Sequence, residues 1–351
     1  MRTADQAPLD QLLSDAGDDP VALVRLAGVL SNMGHTSRAR QIARRALQTA
    51  PDDAQVWICA SDILGRGVPR WHFSIVQDKA RNAAYEAAIK RAVTRDTKVL
   101  EIGTGTGLLA MMAARAGANQ VVTCEMMPAV AETARDIIAL NGYADRVRVV
   151  PKASYDLDLD EDLGGPADVL VSEIISNAML GQDLLPVIEH AARAALKPGA
   201  RVIPARGIVR VALAHDTHIR PARMGTIAGF DLSPFNGLAG TSYLINRGSS
   251  GLTLRSTPAD LFDFNFQSGG PFPPARASAT VTSTGGQATG IAQWIALQMD
   301  DEVRYENDPN PGATSAWGVV FRPFRTPRDY VDGEAVEIRG SHDRRDIRVW
   351  A

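Results

Sequence analysis

Apolar positions follow three different periods along the 351 residues. Leu23, Leu26, Ala27 and Leu30, then Ala39 and Ala46, recur at helical spacing. Between 68 and 208 short apolar runs alternate with helical stretches. Residues 99–102, 121–124, 146–150 and 168–172 read as strands, and 108–116 and 184–195 as helices, which is the alternation of a doubly wound parallel sheet. Past Pro204 the chain changes character. Residues 208–214, 277–283, 290–299, 317–321 and 335–339 read as strands separated by Gly, Pro and Ser. Residues 229–253 are too irregular for the sheet and read as a protruding arm. The expected class is α/β in three regions: 1–67 helical, 68–208 doubly wound, 209–351 β-rich.

The helical region has a finer pattern. Leu23, Leu26, Ala27, Leu30, Ala39, Ala46 and Pro51 fit one tetratricopeptide-like repeat over 20–53, and Trp57, Ala60, Ser61 and Leu64 begin a second before Gly65, Gly67 and Pro69 break it. One and a half repeats cannot bury their own faces, so the array is expected to dock on the next domain or on a second subunit. Arg38, Arg40, Arg44 and Arg45 on its second helix are either a solvated face or a contact for an acidic protein partner.

Composition narrows the class of partner. Hydrophobic residues make up 45% of the chain, enough for a substantial core, and a formal charge of -3 with a pI near 6.1 gives no reason to expect nucleic acid. Cys59 and Cys124 are too few and too far apart for a disulfide framework or a zinc cluster, and the histidines show no ligand spacing, so no metal site is expected. The amino terminus has no signal-peptide core and no segment is long and apolar enough to span a membrane. A cytoplasmic protein is expected.

The candidate chemistry begins at Val-Leu-Glu-Ile-Gly-Thr-Gly-Thr-Gly, residues 99–107. A buried strand runs into a glycine turn that lets the backbone approach a ligand, and a second strand ends at Glu125, whose carboxylate can accept both ribose hydroxyls. A dinucleotide fingerprint needs its third glycine at 108, where Leu108 stands, and a phosphate loop needs Gly-Lys-Ser or Gly-Lys-Thr, which is absent. The turn therefore suits a nucleoside without phosphates. Glu-x-Gly-x-Gly-x-Gly, opened by Glu101, resembles the first motif of S-adenosylmethionine-dependent methyltransferases.

With that motif stand Trp71-His72-Phe73, Asp78-Lys79-Ala80-Arg81-Asn82, Ser172-Glu173-Ile174-Ile175 and Gly290-Ile291-Ala292-Gln293-Trp294. In this order they resemble the protein arginine methyltransferases, specifically the divergent branch that carries tetratricopeptide repeats. The resemblance implies a class I, Rossmann-like methyltransferase domain over 68–208, a β-barrel-like acceptor and dimerisation domain over 209–351, and S-adenosyl-L-methionine as cofactor. It implies a cofactor set of His72, Arg81, Glu101, Gly103, Thr104, Gly105, Gly107, Glu125, Met126 and Ser154, with Arg81 gripping the cofactor carboxylate. A homodimer is also implied, joined by an arm around residues 230–243.

On the acceptor side the family has two glutamates nine residues apart that clamp a guanidinium. Here they correspond to Glu173 and Gln182. Losing one charge at a buried contact costs on the order of 1–3 kcal/mol, or roughly 5- to 150-fold in rate. The family's Thr-His-Trp turn corresponds to Ser315-Ala316-Trp317, so the histidine that pairs with the aspartate matched by Asp78 is missing. Trp317 either walls the acceptor channel or packs in the core. The implied activity is N-methylation of a guanidino nitrogen on an arginine-containing protein, a peptide or a small molecule, with Glu173, Gln182, Asp78 and Trp317 on the acceptor side. Two alternatives stay open: a less basic acceptor, such as an imidazole, amide, amine or hydroxyl, and a catalytically inactive dimeric adapter.

Overall fold

A computed structural model describes residues 16–219, 224–245, 251–309 and 315–351. The amino-terminal stretch read above for a signal core, and part of the irregular segment 229–253, lie outside the described residues. Three helices open the chain: α1 (Pro20–Asn32), α2 (Thr36–Thr49) and α3 (Ala54–Gly65). Asp19 caps α1 by accepting the Val21 amide, and Asp53 caps α3 by accepting that of Val56, each at 2.9 Å. Leu23, Leu30, Ile42, Val56 and Ile63 close a small core of their own.

Two further helices, α4 (Trp71–Ile75) and α5 (Lys79–Ala92), lead into the alternating region. It runs β1 (Lys98–Ile102), α6 (Leu108–Ala116), β2 (Gln120–Cys124), α7 (Pro128–Leu140), β3 (Val147–Val150), β4 (Ala167–Ser172), α8 (Leu184–Ala194) and β5 (Leu196–Ile203). The five strands are all parallel in the order β3-β2-β1-β4-β5. Strand order reverses on either side of β1, which is where open sheets of this kind bind ligands. Register completes the placement. Ile102 lies opposite Cys124 on one side and Ser172 on the other, so the next residues, Gly103, Glu125 and Glu173, leave the sheet side by side.

The helical array docks on this region across a polar seam. Arg44 reaches Glu132 at 3.2 Å and Thr133 at 2.9 Å on α7. Arg40 is buried and donates to the Arg66 carbonyl, while Arg45 pairs with Asp18. Arg40 and Arg44 are thus committed within the chain, to the Arg66 carbonyl and to α7, whereas Arg45 stays on the exposed face of α2.

The remaining strands are β6 (Arg206–Asp216), β7 (Thr226–Ile227), β8 (Phe230–Asp231), β9 (Tyr243–Ile245), β10 (Leu252–Leu254), β11 (Ala259–Asn265), β12 (Ala275–Gln298), β13 (Arg304–Glu306), β14 (Val319–His342) and β15 (Ile347–Trp350). Eight of them form one antiparallel sheet with β10-β6-β12-β14-β15 as its spine, and β7 and β8 make a separate small hairpin. On β6, Val209, Val211 and Leu213 join the main core while Ala212 and Ala214 join a second cluster with Trp294 and Phe321, so both faces are buried. The sheet curls back on itself, bringing Phe262 of β11 edge-on to His342 at the end of β14.

Two pairs of expected strands prove to be single ones. Residues 277–283 and 290–299 belong to β12, and 317–321 and 335–339 to β14, apart from the turn residues Trp317 and Gly318 and Met299, which follows β12. The glycines and serines between them mark register shifts at Thr282/Thr284 and Ala288/Gly290 rather than turns. The expected arm emerges between β6 and β9 with Phe230, Phe235 and Leu238 exposed. Among the described residues no helix is long and apolar enough to cross a membrane.

Candidate active site

A cavity of about 580 Å³ opens at the carboxyl ends of β1, β2 and β4. His72, Arg81, Glu101, Gly103, Thr104, Gly105, Glu125, Met126 and Ser154 line it, as do Glu173 and Gln182. Gly107, Asp78 and Trp317 do not. The turn itself is held by backbone bonds: Gly103 and Thr104 amides donate to the Cys124 carbonyl, each at 3.1 Å. Gly103 has φ 90°, and a Cβ there would stand 2.8 Å from Ile174 Cγ2. A glycine is needed here for conformation and for packing against Ile174, and its backbone also lines the cavity.

Glu125 is fixed at both oxygens. Oε2 accepts the Gly105 amide at 3.2 Å and Oε1 the Met127 amide at 2.9 Å, so the turn and the second strand hold one carboxylate toward the cavity. Glu101 lies deeper, accepting Thr123 Oγ1 at 2.6 Å, and Thr123 in turn meets Thr104 Oγ1 at 2.6 Å. Burial pushes the Glu101 carboxyl up to about 8, with the Thr123 bond opposing. The Cys124 thiol is pushed up to about 12 by burial, which removes it as a nucleophile near neutrality.

On the opposite wall Arg81 and Glu173 pair at 2.8 Å with side chains only 4% and 8% exposed. Asp78 begins α5 by accepting the Arg81 amide at 2.9 Å, which sets the direction of that guanidinium. Nη1 of Arg81 donates to Asn82 and its plane lies over Tyr85. Burial raises the Glu173 carboxyl to about 7 against the pull of Arg81. Arg81 Nε and His72 Nε2 are buried without any partner, and both residues line the cavity. Orphaned polar atoms at a cavity wall are the mark of a site built for a polar ligand.

The hairpin after Glu173 is strained. Met179, Gln182 and Asp183 all have positive φ, at 77°, 47° and 55°. The Ser176 hydroxyl bonds the Leu180 carbonyl across the hairpin, and this closure turns Gln182 into the cavity wall. Asp183 also lines the cavity but pairs with Arg345 at 2.9 Å. Trp317 is 4% exposed, packs in the main core and donates its indole N–H to the Ile175 carbonyl at 3.0 Å. Its place is behind the hairpin, which decides between the two expected readings for core packing over channel wall: the hydrogen bond to Ile175 turns the ring inward.

Sequence reasoning missed several lining residues. Leu109, beside the Leu108 already noted, faces the cavity, and Trp71, Lys152 and Tyr155 border it. Trp71 stacks on His72 at 3.8 Å between ring centroids. Only its place in the word Trp71-His72-Phe73 could have pointed to it. A cavity with an apolar floor, a carboxylate held at the end of its second strand and a buried Arg81–Glu173 pair at the ends of a doubly wound sheet defines the class as a nucleoside-type binding domain.

Comparison with known proteins extends this. Residues 85–211 match the family model described as ribosomal protein L11 methyltransferase (PrmA), and 20–63 match a tetratricopeptide repeat model. The chain is 36% identical over 288 residues to an arginine N(omega)-methyltransferase of Streptomyces achromogenes subsp. streptozoticus, covering 80% of this chain and 78% of that one. It is 31% identical over 294 residues to protein arginine N-methyltransferase 7 of Oryza sativa subsp. indica, where it spans 39% of the relative's length. Among solved structures, the Trypanosoma brucei PRMT1 enzyme-prozyme heterotetrameric complex with AdoHcy superposes with a TM-score of 0.68 at 21% identity, covering 79% of this chain and 90% of that one. Arabidopsis thaliana protein arginine methyltransferase 10 superposes at 0.64 and 18%, covering 76% of this chain and 86% of that one. The chain belongs to the arginine N-methyltransferase family. It is an S-adenosylmethionine-dependent enzyme, so the reading as an inactive adapter is not retained.

Proposed function

We propose that the enzyme methylates a guanidino nitrogen of arginine, presented by a protein, a peptide or a small molecule. One observation carries this: Glu173, a buried carboxylate, leaves the sheet beside the cofactor cavity and shares its wall with Gln182. When bound, S-adenosyl-L-methionine supplies a methyl group on a positively charged sulfur. Glu125 would hold the ribose, Arg81 would bring the Nε–H it now leaves unpaired, and His72 its unpartnered Nε2. Glu101, Gly103, Thr104, Gly105, Met126 and Ser154 complete the expected cofactor set, while Gly107 lies outside the lining, against Ile138, and serves the turn.

Glu173 would accept N–H bonds from the guanidinium and draw its charge away from the attacking nitrogen. Nitrogen donates its pair to the methyl carbon, the carbon–sulfur bond breaks toward sulfur, and the new methylguanidinium releases one proton overall. A carboxyl near 7 is poised to receive that proton. Gln182 keeps a hydrogen bond where a second carboxylate would add charge. That single lost charge favours, as a second reading, a less basic acceptor such as an imidazole, amide, amine or hydroxyl.

Incubation with methyl-labelled cofactor and a panel of free arginine and arginine peptides tests the first reading. Label should appear on arginine and depend on Glu173; label unaffected by Glu173→Gln would refute the role. We also propose a homodimer joined through the exposed arm residues Phe230, Phe235 and Leu238, a cytoplasmic location, and a protein partner for the exposed Trp57 and Ile58 of α3. Sedimentation as a monomer at working concentration would sink the dimer.

A further inference from the structure

Position 316 offers Asp78 only a backbone amide, and a residue from another strand occupies the remaining bond. Ala316 N–H reaches Asp78 Oδ2 at 2.9 Å, and the Tyr305 hydroxyl donates to the same oxygen at 2.7 Å. Tyr305 Oη also lies 2.6 Å from Ser315 Oγ. Since the tyrosine's one proton goes to the carboxylate, Ser315 must donate to Tyr305, giving a directed chain from serine through tyrosine to aspartate. Tyr305 is 5% exposed and its ring meets Trp317 edge-on at 5.5 Å.

We propose that Tyr305 is a positioning residue that locks the acceptor-side turn 315–318 to the first turn of α5. Both supports of Glu173 run through this lock. Asp78 caps the helix that carries Arg81, the partner of Glu173. From the other side, Trp317 holds the carbonyl of Ile175, two residues beyond Glu173. An ordinary core tyrosine would need one partner for its hydroxyl; this one joins two elements that bracket the reacting carboxylate.

The inference rests on the methyl-transfer reading above, and its test separates the two. Tyr305→Phe removes the hydroxyl and keeps the ring. With free arginine as acceptor, we expect kcat to fall about tenfold while KM and the calorimetric Kd for S-adenosylhomocysteine stay within about threefold, as loss of a hydrogen bond to a charged group implies. Hydrogen exchange in peptides covering 78–82 and 315–318 should quicken. Adding Ala316→His to Tyr305→Phe, which puts a side-chain donor where the backbone already reaches Asp78, should restore protection and much of kcat. Should the buried substitution prevent folding, Ser315→Ala removes the outer donor, together with the acceptor of the Trp317 amide within the same turn, and should give the same pattern at about threefold. Unchanged kcat and unchanged exchange in either folded variant would overturn the proposal, as would slowed turnover that histidine does not rescue. If the native enzyme leaves arginine unlabelled, the functional reading fails, while exchange and its rescue by histidine still decide the role of Tyr305.

Discussion

The half of this cavity that we propose holds the cofactor and the half that we propose takes the acceptor are built differently. On the proposed cofactor side Glu125 and Glu101 are held by hydrogen bonds from the adjoining turn, from the residue two beyond Glu125 and from the neighbouring strand. On the proposed acceptor side Glu173 depends on Arg81, 92 positions away, and its hairpin holds three non-glycine residues in left-handed backbone. Departures from the family pattern at 182 and 316 fall only on the second half. A donor common to many methyltransferases demands one fixed pocket, while the acceptor is where such enzymes diverge.

The largest effect should come from separating the halves. Glu173→Gln should cut product formation by about a thousandfold, within the range for a positioned acid or base, while calorimetry shows the Kd for S-adenosylhomocysteine changed by less than threefold. Its counterpart is Glu125→Ala, which should weaken that binding by roughly ten- to a hundredfold, as loss of hydrogen bonds to a charged group implies, and leave turnover at saturation nearly intact.

Acidity offers a third way to sharpen the contrast. Glu173 must be ionised to hold a cation, so kcat/KM measured across pH should fall about tenfold per unit below about 7. Stability should run the other way. Burial raises both Glu101, to about 8, and Glu173 above the ordinary carboxylate value, so the folded state keeps protons that the unfolded chain releases. Their stabilising contribution is complete below about 4.5 and is lost as pH rises toward 7 and 8, which urea unfolding at several pH values would register as a declining midpoint.

A smaller, signed effect is expected from restoring the clamp. Gln182→Glu should raise turnover of a guanidino acceptor about fivefold, within the span of one buried charge-assisted bond, and lower it for a neutral acceptor. The smallest belongs outside the cavity. Arg44→Ala breaks a half-exposed pair with Glu132 and should cost about 0.2–1 kcal/mol by thermal unfolding without altering kinetics.

Much of the cofactor half was legible in the sequence because its determinants are local. Three glycines, an apolar strand before them and one acid after the next strand fix the turn, and parallel register does the rest. The acceptor half was legible only as motifs. Nothing local links Tyr305 to Asp78 across 227 positions, and a lone aromatic in a short polar hairpin carries no periodic signal. Trp317 was read as either channel wall or core, and only its bond to Ile175 decides for the core. Long strands were cut in two for a related reason, since glycine and serine mark bulges as readily as turns.

The most direct test is mass spectrometry of free arginine after incubation with S-adenosylmethionine and either the native enzyme or Glu173→Gln, both saturated with cofactor. A gain of one methyl group on arginine with the native enzyme, lost with the variant, is the predicted result. Equal methylation by both proteins would contradict the assignment of Glu173 as the group that orients the acceptor.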